Sequence, residues 1–485
     1  MRMTGLDGDV IDVGSEALAS LSATFDGRAL RPRDPGFEEA TRIWNGMISK
    51  RPALVVQPLS AGDVRAAVRF AEANGVLLSI KGGGHNIAGT SLADGGLTLD
   101  MSRMKTVDVD VERRVAYVGP GCLLRDVDGA TQKHGLATVL GFVSETGVAG
   151  LTLGGGFGYL TRRFGWTVDN LEEVELVTAD GEIRRAALNE HEDLFWALRG
   201  GGGNFGVVTR FTFRLHEIGP DVTAGIIVWD ADEAAEVLPV YRQIADEAPL
   251  ELSLGLVIRC APALPVIPER WHGKPVVLVL ACHTGDASRA SRDLAPLRAL
   301  GRTIADAIGP RRYVEQQSLF DTSQPDGTYN YWKSEFLPRL SNELLETFHQ
   351  HGTEIASPMS MLWILQLGGA LADRDAMSTP FGNRDADAIV SAAACWDPDV
   401  PEHERDRAWA RSAWEALRPY STGGNYVNLQ TADDDDTRLR DAYRESFDRL
   451  ASVKATYDPD NLFRVNRNIS PTGLAAAADA TPDQP

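Results

Sequence analysis

The residues with chemical capacity in this 485-residue sequence gather around glycine. His85 stands inside Lys81-Gly82-Gly83-Gly84-His85-Asn86, where three consecutive glycines strip the backbone of side chains just ahead of an imidazole. A neutral imidazole nitrogen is a competent nucleophile near pH 7. Bare N–H groups, for their part, approach a pyrophosphate more closely than a substituted backbone allows. Two further clusters follow: Gly147 to Gly158, containing Gly150, Gly154, Gly155 and Gly156, and Gly200 to Gly206, containing Gly203 and Asn204 and leading into Val207. Any one cluster also reads as a tight turn or a close approach of two elements. Three of them before residue 220 point to a long phosphate-bearing cofactor lying across several loops.

The elements that must position these clusters are legible from periodicity. Ala53–Gln57 reads as a strand, Ser60 caps a helix carrying Val64, Ala67, Val68 and Ala71, and Asn74-Gly75 ends it. Val76–Ile80 is a second strand, giving a βαβ-like opening with the His85 loop behind it. Leu97–Asp100, the alternating Val107, Val109 and Val111, and Val115–Val118 suggest an antiparallel set, and 123–134 is helical in pattern. Gly201 to Gly206 satisfies G-x-G-x-x-G, yet Asp193–Arg199 ahead of it is helical and Val207–Phe213 behind it alternates as a strand. That order is the reverse of a dinucleotide fingerprint, so a Rossmann reading fails on context. Beyond residue 220, strand-like runs such as Ala224–Trp229 and Pro275–Leu280 alternate with helical stretches, as in a second α+β unit.

Composition narrows the partners. Lys and Arg total 48 against 68 Asp and Glu, a net charge of −20 that repels nucleic acid and anionic membranes. With 43% hydrophobic and 24% charged residues, the chain has the make-up of a globular enzyme or binding protein. No apolar run reaches the roughly 20 residues of a membrane span. Neither a basic start nor an apolar core of a signal peptide is visible, so a cytoplasmic location is expected. Cys122, Cys260, Cys282 and Cys395 are far apart and read as buried small hydrophobes, with no metal-type pairing. Asp433 to Asp436 reads as a solvated surface run, and the Ala/Pro/Asp tail over 472–485 as frayed.

Four ordered segments carry a resemblance that spans about residues 40–471: Lys81–Gly89, Gly147–Gly158, Asp193–Gly206 and Tyr457–Phe463. Together they resemble the berberine-bridge-enzyme-like FAD-linked oxidases of the vanillyl-alcohol-oxidase, or PCMH-type, flavoprotein superfamily. The resemblance implies an α+β fold. A PCMH-type FAD-binding domain would be formed from residues 1–218 together with 423–471, and a substrate domain over 219–422 would carry an antiparallel sheet flanked by helices. It further implies FAD held by Lys81, Gly82, Gly83, Gly84, Asn86, Gly147, Gly150, Gly154, Gly155, Gly156, Gly158, Gly203, Asn204, Gly206 and Val207. His85 would bond to the 8α carbon of the flavin ring, and Asn466 and Asn468 would hydrogen-bond that ring. Thr146 falls where relatives flank the oxygen-reactive face, although a core-packing threonine accounts for it equally. Many relatives add a second, cysteinyl bond in a pattern like Gly-x-Cys-x-x-x-Gly. Alignment on Gly141 and Gly147 puts Val143 at that place, which implies a single covalent link and makes bulky oligosaccharide substrates less favoured.

An FAD oxidase needs a base for the proton of the alcohol or amine it oxidises. Read as a strand, Gly424–Asn428 puts Tyr426 and Asn428 on one face, in a segment resembling the family's substrate-side stretch. Tyr426 is the first candidate base, although filling a seam between domains explains the same tyrosine. Tyr329, Tyr331 and Lys333, in Tyr329-Asn330-Tyr331-Trp332-Lys333, resemble another pocket-lining stretch, where Lys333 would lower a neighbouring phenol's pKa. Ordinary packing explains Tyr331 and Trp332 equally well. The expected activity is oxidation of an alcohol or amine carbon of a small organic or natural-product molecule, with dioxygen reduced to hydrogen peroxide. A flavin dehydrogenase using a quinone or protein acceptor and a non-catalytic flavin-binding protein are the alternatives.

Overall fold

The computed structural model describes residues 1–472 except 324, 401 and 402, so the expected frayed tail lies almost wholly outside the described residues. Its first sheet has four strands in the order Arg28–Leu30, Leu54–Gln57, Leu97–Asp100, Leu78–Lys81. The βαβ-like pattern forms, but the two strands it joins are not neighbours. Each runs parallel to Leu97–Asp100, which lies between them. The antiparallel grouping expected for Leu97–Asp100 is therefore corrected, since that strand is buried along its whole length as the centre of a parallel set. The helix Ala61–Ala73 starts at Ser60, whose hydroxyl accepts from the Asp63 N–H at 3.2 Å. Its buried face, Val64, Ala67, Val68 and Ala71, packs with Leu54, Val56, Leu97 and Leu99 on one side and Val177 and Val207 on the other.

Val177 and Val207 belong to a five-stranded antiparallel sheet, ordered Ile183–Ala187, Leu171–Val177, Val207–Arg214, Val115–Val118, Val107–Asp110. In Val207–Arg214 only Arg210 and Arg214 are exposed, so this strand is buried on nearly all of both faces. A third, eight-stranded antiparallel sheet is built from residues beyond 220, with Asp221–Asp230, Pro275–His283, Leu252–Cys260, Met361–Gln366, Ala388–Trp396 and Tyr329–Leu337 adjacent in that order. One face of it is covered by helices that include Ala234–Glu247, Asn342–Thr353 and His403–Leu417, through Val237, Tyr241, Phe348 and Ala410. The opposite face, with Phe336 and Trp363, joins the core that holds Phe157, Trp166 and Tyr426. Among the described residues no helix is long and apolar enough to cross a membrane.

The chain's end returns to the first half. In the helix Phe447–Tyr457, Lys454 is fully buried and donates to Asp458 at 2.6 Å, to the Asn204 carbonyl at 2.8 Å and to the Phe463 carbonyl at 2.9 Å. Asp458 accepts in addition from the N–H groups of Leu462 and Phe463, at 2.7 and 2.9 Å. The motif Tyr457–Phe463 is thus a turn wound around one carboxylate, and it delivers residues 464–469 back to the third glycine cluster.

Candidate active site

The strand Leu78–Lys81 delivers the backbone into the first glycine cluster. Gly84 lies at φ +72°, and its carbonyl accepts from the Trp44 N–H at 3.0 Å. Gly83 and Gly147 meet backbone to backbone: a Cβ on either would collide with the amide nitrogen of the other. The first and second clusters therefore make one continuous floor that no larger residue permits. Gly150 and Gly203 are open, since a Cβ at Gly150 would meet nothing within 4 Å and one at Gly203 only the Asn466 amide at 4.0 Å.

A cavity runs over this floor. Gly82, Gly83, Gly84, His85, Asn86, Thr146, Gly147, Gly150, Gly154, Gly203, Gly206, Val207, Tyr426 and Asn466 all stand on its wall, drawn from five separated stretches of sequence. Val143 stands there too. Lys81, Gly155, Gly156, Gly158, Asn204 and Asn468 do not; Asn468 keeps a buried Oδ1 without a partner among the described residues, and the surroundings of the other five show structural work. Lys81 is buried against Asp100 at 3.5 Å. A Cβ at Gly155 would strike Phe381, at Gly156 Thr167, and at Gly158 the Leu140 carbonyl. Asn204 donates to the carbonyls of Gly201 (2.9 Å) and Arg467 (3.1 Å) and accepts from the Ile469 N–H (3.0 Å), stapling the chain's end to the third cluster.

The strand Tyr329–Leu337 divides the expected catalytic residues. Trp332 faces the cavity, whereas Tyr329, Tyr331 and Lys333 alternate away from it. Tyr329 and Tyr331 pack with the helix-covered core, and Tyr329 meets the Trp396 ring at 6.1 Å. Tyr331 donates to Asp433 at 2.7 Å, and Lys333 donates to Asp433 at 2.9 Å and to Asp434 at 2.8 Å. These three residues are corrected out of the site by the two-residue period of the strand. The same contacts correct the solvated reading for Asp433 and Asp434, whereas Asp435 and Asp436 are exposed as expected. Burial pushes the Asp433 carboxyl up, but hydrogen bonds from Thr431, Tyr331 and Lys333 outweigh it and hold the group well below the usual carboxylate range.

Tyr426 is on the cavity wall, but not on a strand. It precedes a 3₁₀ turn, Val427–Leu429, which brings the Asn428 amide to 2.9 Å from the phenol oxygen as donor. The same amide reaches the carbonyls of Gly150 at 3.2 Å and Leu151 at 3.3 Å, tying Tyr426 to the second glycine cluster. Only 3% of Tyr426 is exposed, and its ring packs on Phe157 and Phe381 at 5.1 and 5.4 Å. Burial pushes the phenol well above its ordinary range, and the donors on its oxygen only partly offset this. Tyr426 is therefore held as the phenol.

The His85 imidazole is shifted the other way. Loss of hydration pulls it below its ordinary value, against the fields of Asp326, Glu145 and Asp321, so the neutral ring is the stable form at pH 7. It lies parallel to Trp44, with ring centroids 5.6 Å apart and planes 8° apart, and Trp44 meets Trp332 edge-on at 5.7 Å. Trp332 stands in the stretch expected to line the pocket, whereas Trp44 was missed. Trp44 lies in an unpatterned leader, and Trp332 sits out of phase with the tyrosines beside it. Arg467, also on the wall, was equally unforeseen.

The donor set suits a dinucleotide flavin. Bare backbone at Gly150 and Gly203, with open space where a Cβ would stand, lets a diphosphate approach closely without cationic side chains. Asn466 Oδ1 and Arg467 Nε, on residues that line the cavity, are buried with no partner among the described residues. Such atoms await hydrogen bonds from something other than the protein.

A cavity of this kind, floored by glycine amides, closed by the chain's own end and roofed by an antiparallel sheet, defines an FAD-linked oxidoreductase. Family comparison agrees: the FAD binding domain matches residues 52–187, and the family described as berberine and berberine like matches residues 425–470. The chain belongs to the berberine-bridge-enzyme-like FAD-linked oxidases of the PCMH-type superfamily. It is 33% identical over 468 residues to (R)-6-hydroxynicotine oxidase of Paenarthrobacter nicotinovorans, covering 93% of this chain and 98% of that one. A crystal structure of 6-hydroxy-D-nicotine oxidase from Arthrobacter nicotinovorans superposes with a TM-score of 0.84 at 32% identity, over 95% of this chain and 100% of that one. An FAD-linked oxidoreductase of Dictyostelium discoideum is 31% identical over 444 residues, 90% of this chain and 92% of its own.

Proposed function

We propose that this chain is an oxidase whose FAD is attached through His85 alone. It takes a hydride from the carbon beside the nitrogen of a compact amine, with alcohol carbons second, and dioxygen accepts the electrons as hydrogen peroxide. The observation that carries this reading is that a neutral His85 ring shares one cavity with the bare backbone of Gly150 and Gly203 and with the buried phenol of Tyr426. Val143 stands on the same wall and has no thiol for a second link. When bound, FAD supplies the hydride acceptor. The glycine amides would hold its diphosphate, Asn466 and Arg467 would offer it hydrogen bonds, and Thr146 would stand where dioxygen is admitted. Residues 1–218 and 423–471 form the cofactor half on this reading and 219–422 the substrate half.

The state of Tyr426 selects between substrate types. An alcohol releases hydride only as its O–H proton leaves, which requires a base. A neutral amine needs none, because its nitrogen lone pair takes up the charge developing on carbon. A phenol held protonated by burial is a poor base and favours the amine. The similar enzyme from Paenarthrobacter nicotinovorans is named for a nitrogen heterocycle, which supports the same choice.

Two measurements test the proposal. Acid-precipitated wild-type protein should stay yellow while His85→Ala yields colourless protein, and colour that washes out of the wild type would overturn the linkage. A panel of cyclic secondary amines and primary alcohols, scored by flavin bleaching without oxygen and by peroxide release under air, should respond to amines first. Bleaching by alcohols alone, or bleaching without peroxide, would overturn the assignment. For Tyr426→Phe we expect amine-driven flavin reduction to fall by less than about 10-fold. A loss of about 10²-fold, the usual scale for removing a general base, would reinstate Tyr426 as the base.

A further inference from the structure

The segment Trp44-Asn45-Gly46 crosses between the His85 loop and the strand that carries Trp332, and every polar atom of Asn45's side chain is used in the crossing. Its amide donates to the Ile87 carbonyl at 2.7 Å, on the His85 side, and to the Asn330 carbonyl at 3.0 Å, on the strand. Its carbonyl oxygen accepts from the N–H groups of Asn330 at 3.1 Å and Met47 at 3.2 Å. Asn45 is 2% exposed, so the four bonds saturate a buried amide. Main-chain bonds flank it. Trp44 donates to Gly84, Gly327 donates to Trp44 at 2.9 Å, and Gly46 donates to Thr328 at 2.9 Å. At Gly46 a Cβ would collide with the Gly327 carbonyl, so the two strips lie in direct backbone contact. Asn330 in turn accepts from the Trp332 indole at 3.3 Å. The strap therefore sets three rings together: His85 flat against Trp44, and Trp332 edge-on to Trp44.

We propose that Trp44 is a positioning residue for flavin attachment: its indole fixes the plane of the His85 imidazole, and Asn45 locks that plane to the substrate-side strand. This rests on the attachment through His85 proposed above. Attachment makes one N–C bond and removes the imidazole N–H proton and one C–H proton from the 8α methyl group. The two electrons and two protons released leave with dioxygen as one hydrogen peroxide. A neutral ring nitrogen free to turn in a cavity would meet that carbon rarely, whereas one held parallel to a fixed indole meets it in nearly every encounter.

The test uses the full chain produced under riboflavin limitation, then given FAD under air. Flavin fluorescence that stays with the denatured chain is followed over time. Trp44→Leu keeps apolar bulk and loses the ring, so its attachment rate should fall by about 10²-fold, the scale of a 1 Å misplacement. Trp44→Phe restores an aromatic face and should return the rate to within about 10-fold of wild type, the greater part of that loss. The rates are read per FAD reversibly bound, and the thermal midpoint should change little in either variant. Asn45→Ser, which drops the bonds to Ile87 and Asn330 while leaving the ring, should slow attachment as well and serves should Trp44→Leu not fold. Equal rates for Trp44→Leu and Trp44→Phe would reduce Trp44 to filling space and overturn the proposal. A wild type that never gains denaturation-resistant flavin would instead overturn the linkage itself, and this inference with it.

Discussion

Asp458→Ala should destabilise the protein by about 3–5 kcal/mol, the usual consequence of removing one partner of a buried ion pair. Both Lys454 and Asp458 are fully buried, so the substitution strands an ammonium with two carbonyls for company. Burial already pulls the lysine down to about 8 even with Asp458 beside it. The loss extends beyond the charge, because the N–H groups of Leu462 and Phe463 give up their acceptor together. Residues 464–469 then lose the turn that aims Asn466 at the Gly203 carbonyl, where it now donates at 3.0 Å. Urea unfolding followed by tryptophan fluorescence measures the first effect and FAD retention on dilution the second. A midpoint shift worth less than about 1 kcal/mol would show that the pair does not organise the chain's end.

Asp128→Asn should have the opposite sign and a comparable size. Asp128 is buried, with one oxygen accepting from Gln317 at 3.1 Å and the other without a partner among the described residues. No cation among the described residues offsets its loss of hydration, and its carboxyl is pushed up from 3.8 to about 7. A carboxyl raised on folding contributes stability that is complete below its unfolded pKa near 4 and is lost as the pH rises through about 7. Roughly three pH units at 1.36 kcal/mol each make the deficit about 4 kcal/mol at pH 8. An asparagine carries no such charge, so the variant should be the more stable protein at pH 8 and should lose that advantage toward pH 4–5. Parallel stability curves for the two proteins between pH 5 and 9 would show that Asp128 does not titrate in this window.

Several features of the fold were legible from local pattern. Ser60 caps its helix because a side-chain oxygen and the third N–H after it meet by local geometry alone, and the apolar spacing of Val64, Ala67, Val68 and Ala71 gives the helix its buried face. Strand partnership was not legible. Leu97–Asp100 has the same apolar texture whether it pairs with its sequence neighbours or inserts between two earlier strands, and it inserts. Tyr426 was placed at the site for a partly mistaken reason, since the expected strand is a 3₁₀ turn. The side-chain pairing with Asn428 forms through a different backbone.

By itself the amino-acid order determined where bare backbone is offered: glycine runs beside His85 and along the two later clusters specify bare amides wherever they fold, and Val143 lacks a thiol in any conformation. Only the tertiary structure decided which side chains share the cavity and in what protonation state. Tyr331 and Lys333 turn away while Trp332 turns in, and Trp44 arrives on His85 from 41 positions upstream. The burial that keeps Tyr426 a phenol and His85 neutral comes from residues hundreds of positions apart. The physical reason is that backbone chemistry is carried by each residue locally, whereas desolvation and ring contact are properties of what packs around a group.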